Sequence, residues 1–126
     1  MTKQAIVDRV FEWFVAEGNP PSMRKGTSQC LLHGANGERC AVGLFLTDYK
    51  EVFECDTVDV LLPYLPKLDG ERHKKSSLDF WKRLQEVHDA AAHNFLQLDK
   101  NFLDEFVPRL RTFSKRRKLI YPGDQR

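Results

Sequence analysis

Cys30-Leu31-Leu32-His33-Gly34-Ala35-Asn36-Gly37-Glu38-Arg39-Cys40-Ala41-Val42-Gly43 is the stretch on which the reading of the fold turns. Two cysteines bracket Asn36-Gly37, the dipeptide that most readily takes positive φ at both central positions of a tight turn. That chemistry predicts a short β-hairpin, with residues 29–33 paired to residues 38–41. A two-stranded hairpin is marginal alone in water, so helices must lie against it. The next six residues, Ala41 to Leu46, are apolar on every side and must be buried. Periodicity does not separate strand from helix there; a short helix is the preferred reading, with Gly43 permitting close packing against a neighbour.

The flanking sequence supplies those helices. Ile6, Val7, Val10, Phe11, Phe14 and Val15 recur at helical spacing, with Thr2 to cap the start and Gly18-Asn19-Pro20-Pro21 to stop it. Trp13 lies partly off this stripe, so either the helix is buried on a wide face, the favoured reading, or Trp13 meets a partner. Thr57 caps a short helix over Val58, Val60, Leu61 and Leu62. Residues 67–77 are charged, contain Gly70 and read as a mobile loop. Ser76-x-x-Asp79 resembles a capping box at the head of the best amphipathic segment, with Phe80, Trp81, Leu84, Val87, His88, Ala91 and Phe95 on one broad face. Asp99 is placed to cap a last helix through Phe102, Phe106, Leu110 and Phe113. Pro108 falls inside it and predicts a kink or a split. Residues 119–126 read as a flexible tail. The expected fold is therefore α+β and mostly helical, about four helices packed around one short β-hairpin, in a single domain over 1–126.

Composition narrows the setting. The chain has 126 residues, 41% hydrophobic and 30% charged, a balance suited to a soluble globular domain. No run approaches the roughly 18–20 apolar residues that span a bilayer, and the amphipathic N-terminus has no signal-peptide pattern. A cytoplasmic location without membrane contact is expected. Three cysteines, an odd number, fit a reducing compartment better than a disulfide framework.

Four chemistries are legible, each against a plainer reading. Cys30, His33 and Cys40, with Cys55 as a fourth ligand, offer zinc its preferred sulfur and imidazole donors, although the spacing fits no standard finger and buried small cysteines are the plainer account. Cys40 at a helix start would have a lowered thiol pKa, with His88 as general base; adjacent Asp89 should orient it poorly, since neighbours on a helix do not face each other. A Cys30–Cys40 disulfide fits facing strands but not a reducing cytoplasm. Finally, Arg109, Arg111, Lys115, Arg116, Arg117 and Lys118 place six cations in one segment without an intervening acid. They would contact an acidic protein, nucleic acid or nucleotide, or merely complement the helix dipole.

Cys30, the Gly-rich turn and Gly37-x-x-Cys40-Ala41-Val42-Gly43, followed by Leu84-Gln85-x-x-His88-Asp89 and a last helix rich in Phe, Leu and Arg, resemble a group of small bacteriophage and prophage proteins. That group has Tyr-Arg after its first cysteine where this chain has Leu32-His33, offset by one residue, so His33 gains no metal role from the likeness. The resemblance implies an accessory protein working in the host cytoplasm and brings no established reaction. The expectation from sequence is a non-enzymatic binder or inhibitor of a host protein. A Cys/His-centred enzyme or zinc module and a nucleotide- or small-ligand-sequestering protein are the alternatives.

Overall fold

In the computed structural model, residues 1–22, 38–46 and 57–125 are described. The chain opens with α1 (Lys3–Phe11), where Thr2 Oγ1 accepts the Ala5 N–H at 3.0 Å. The helix runs on as a wider π turn over Glu12–Ala16, in which the Glu17 N–H reaches back five residues to the Glu12 carbonyl at 2.8 Å. That turn carries Phe14 fully into the core and leaves Trp13 half-buried under the Arg9 guanidinium. Gly18, at φ 71°, ends the segment in the left-handed region that suits glycine.

The hairpin expectation is corrected here. Among the described residues there is no strand and no sheet, only an isolated bridge position at Arg39, and the secondary structure is helical rather than α+β. Residues 29–33, the other arm of the expected pair, lie outside the described residues. Local hydrogen bonds give the physical reason. Leu44 donates its N–H to the Cys40 carbonyl at 3.2 Å and Phe45 donates to Val42 at 3.0 Å, so the chain turns immediately after Cys40. The Val42 N–H, which a ladder would use, goes to the Gln85 side chain at 2.9 Å. One 3₁₀ turn, Gly43–Phe45, takes the place of the expected short helix, and Cys40 to Val42 are wholly buried.

A single turn, α2 (Val58–Leu61), continues as a 3₁₀ turn over Leu62–Tyr64 and is tied to the next helix by Asp59–Lys82 at 2.8 Å. Residues 67–71 have anchors that the sequence does not announce. Leu68 is 2% exposed, the terminal amine of Met1 binds Asp69, and Lys3 pairs with Glu71 at 2.9 Å.

The two long helices are α3 (Lys74–Leu98) and α4 (Phe102–Arg116), and each packs chiefly on the other. α3 begins ahead of the expected capping box: His73 is its N-cap and gives no side-chain bond, so Ser76 lies in the first turn. Its end is Asp99 in the left-handed conformation, φ 53°, which makes Asp99 the stop of α3 rather than the cap of α4. Asn101 caps α4 by accepting the Asp104 N–H at 3.2 Å. α4 continues helical through Pro108 and is not split. Proline forfeits one backbone bond there, and the burial of Phe106, Leu110 and Phe113 on either side holds the helix together. Phe95, expected on the buried face, is 41% exposed, as are its neighbours Leu96 and Leu98 to similar degrees, because the last turns of α3 outrun the body.

The core is one cluster fed by α1 and its π turn, residues 40–46, α2, α3, α4 and Tyr121. Phe14, Phe102 and Phe106 form its aromatic centre, with ring centroids 5.0–5.7 Å apart. Beyond α4 the chain folds back on α1. Gln4 exchanges two hydrogen bonds with the Ile120 backbone, and Tyr121 is buried edge-on to Phe11 at 5.4 Å.

Candidate functional site

Two regions collect the candidate residues, one buried and one on the surface. The buried one lies on α3. Gln85, His88 and Asp89 fall within one turn, and the first two are covered by neighbouring elements. The Ser22 backbone N–H donates to His88 Nε2 at 3.2 Å, which makes Nε2 the bare nitrogen of a neutral ring and leaves the proton on Nδ1. That Nδ1 lies 3.0 Å from Asp89 Oδ1, and the same oxygen accepts from Gln85 Nε2 at 2.8 Å. Gln85 Oε1 in turn accepts the Val42 N–H. Asp89 therefore does orient His88, against the sequence expectation: the aspartate is short, and its carboxylate folds back over the Nδ1 edge, which lies close to the histidine backbone. The bonds form one chain from Ser22 through α3 to Val42, pinning two separate segments to the same helix turn.

Cys40 sits at the end of this chain. Its side chain is fully buried, and its sulfur accepts the Gly43 N–H at 3.3 Å. No hydrogen bond joins Cys40 to His88. For His88 to act as a base toward Cys40, Nε2 would have to release the Ser22 N–H, which lies in a buried bond. Cys30 and His33, the other proposed metal ligands, and Cys55 lie outside the described residues. Among the described residues no three His, Cys, Asp or Glu side chains are grouped so as to hold a metal ion.

The surface region separates the basic run 109–118 into three kinds of residue. Arg117 is structural: its guanidinium stacks 4.1 Å from the Phe113 ring centroid and pairs with Asp79, and burial pulls its pKa down while Asp79 opposes the shift. Arg111 is also engaged, stacked on Tyr121 at 4.8 Å and bonded to Asp124 at 3.1 Å. Lys115 and Lys118 are exposed, Lys118 with φ 57° at the end of α4. Arg109 and Arg116 differ from these. They face an open groove of about 1160 Å³ between α3 and α4, and there they meet Lys3, Lys75 and Arg83. Sequence reasoning missed those three because they lie far from the contiguous run. The available signal was Lys75, Asp79, Arg83 and Glu86 at spacings of four, four and three along α3, one charged ridge beside the apolar face.

A smaller pocket of about 300 Å³ lies at the start of α3, where Lys67, Arg72 and Lys74 are among its lining. No helix among the described residues is long and apolar enough to cross a membrane. No known family matches the chain, and no curated protein or solved structure matches it either.

Proposed function

We propose that the chain is an accessory protein of bacteriophage type that binds a host protein in the host cytoplasm and inhibits or redirects it without catalysing a reaction. The observation that supports this reading most directly is the opposite placement of the two chemistries. Cys40, Gln85 and His88 are buried and occupied in bonds that hold chain segments together, whereas Arg109, Arg116, Lys75 and Arg83 stand on the surface. A nucleophile must reach its substrate, and Cys40 has no exposed surface from which to do so.

The test is the reactivity of that thiol in the purified protein. Iodoacetamide labelling mapped by mass spectrometry should show Cys40 modified more slowly than a free thiol, with a rate that follows unfolding. Modification far faster than a free thiol, or stoichiometric zinc in the same preparation, would overturn the non-enzymatic reading. The pocket at the start of α3 supports a second reading, sequestration of a small phosphorylated ligand by Lys67, Arg72 and Lys74. A nucleotide thermal-shift series that stabilises the wild type but not Arg72→Gln would favour it.

A further inference from the structure

We infer that the groove between α3 and α4 is the docking surface for an acidic segment of the partner protein. This rests on the binding reading above and adds where the partner sits and what its surface is made of. The charge distribution carries it. Six cations line the groove, Lys3, Lys75, Arg83, Arg109, Arg116 and Arg117, against three carboxylates, Glu71, Asp79 and Glu86, a net of +3. The whole chain carries only +2, so everything outside the groove sums to −1. The groove lining thus carries more net positive charge than the whole chain.

Two of the six cations, Lys75 and Arg116, are uncommitted among the described residues, and a third, Arg109, is only loosely paired. Lys3 is held by Glu71, Arg83 by Asp79 at 3.6 Å and Glu86 at 3.2 Å, and Arg117 by Asp79 and the Phe113 ring. Lys75 and Arg116 make no ion pair among the described residues, and Arg109 has only its helix neighbour Glu105 at 3.6 Å. Arg109 and Arg116 are seven residues apart, two helical turns or about 10.5 Å along one face of α4. On the opposite wall Lys75 and Arg83 are eight apart, so cations line both walls at helical spacing.

Size and pattern select a polypeptide. The groove's 1160 Å³ exceeds the roughly 300–1,000 Å³ of small-molecule pockets. Its lining runs from Lys75 to Ala90 along α3, about 22 Å or four turns of a facing helix. Asp79 and Glu86, both more than three-fifths exposed, interleave with the cations of α3. A nucleic-acid backbone is uniformly negative and would meet them as like charges. An acidic helix with an occasional lysine or arginine satisfies both signs.

A photo-crosslinking residue at Thr112, exposed within the groove, tests this in cells of the native host, with the same probe at Lys118 outside it as comparison. The expected product from Thr112 is a protein crosslink mapping to an acidic segment, lowered about tenfold or more by Arg109→Glu with Arg116→Glu while the melting curve is unchanged. Crosslinking from Lys118 with Thr112 silent would overturn the groove assignment and leave the binding reading standing. A nuclease-sensitive product, or a segment without acidic excess, would also overturn the assignment. Silence at both positions, with no protein captured by the wild type, would overturn both.

Discussion

His88 and Gln85 show how buried polar side chains can tie distant chain segments to one helix. His88 is fully enclosed and spends Nε2 on the Ser22 N–H, while Gln85 supplies the acceptor for the Val42 N–H. Removing either acceptor strands a backbone donor away from water, which costs about 1–3 kcal/mol beyond any cavity term. Gln85→Ala should therefore destabilise the protein by about 2–4 kcal/mol in urea unfolding, combining the orphaned N–H with lost packing. A change below about 0.5 kcal/mol, the level of an ordinary surface substitution, would show that the Val42 bond is not structural. The Leu-Gln-x-x-His-Asp pattern was visible in the sequence as a motif. Its role was not, because the groups it serves are backbone N–H donors 43 and 66 residues earlier, which no local pattern encodes.

At the level of elements, the legible features were those with a strong local cause. The apolar stripes of α1, α3 and α4 and the Thr2 cap follow from spacing and side-chain chemistry in the residues themselves. The misread features were decided by competition. Beyond residue 41 no strand continues, because Gln85, from a distant helix, takes the Val42 N–H and the chain turns after Cys40. Asp99 looked like a cap for α4, yet it adopts the left-handed stop of α3, and Asn101 two residues later does the capping. The end of α4 provides a quantitative check. Lys118 is left-handed while Leu119 donates back to the Ser114 carbonyl at 2.9 Å, an arrangement for which glycine is the favoured residue. Lys118→Gly should raise stability by about 0.5–1 kcal/mol, since it relieves the left-handed strain at some cost in unfolded-chain entropy. Destabilisation of similar size would mean that the lysine side chain contributes an interaction of its own.

For the molecule as a whole, the C-terminal residues close the structure against α1, and a titratable group sits at that closure. Burial raises the Tyr121 pKa above its ordinary value, with Arg111 pulling the other way and Asp124 adding to the rise. A raised folded value means the neutral phenol is favoured in the native state. The contribution is full below the ordinary value, near 10, and is lost as pH climbs through the folded value. Tyr121→Phe should therefore lose less stability than the wild type between about pH 10 and 12, measured by urea unfolding at each pH. Parallel alkaline limbs for the two proteins would place the phenol in solvent.

The same whole-molecule view divides the surface charge from the enclosed chemistry. Contiguity in sequence made residues 109–118 look like one site, but folding turned Arg111 toward Tyr121, stacked Arg117 on Phe113, and brought Arg109 and Arg116 against Lys75 and Arg83. The most direct measurement is partner capture from the native host by three forms of the protein, each shown to melt as a folded domain. Wild type and Cys40→Ala should retain the same protein partner at equal yield, and Arg109→Glu with Arg116→Glu should lose it. Loss with Cys40→Ala and retention with the charge-reversed form would contradict the account.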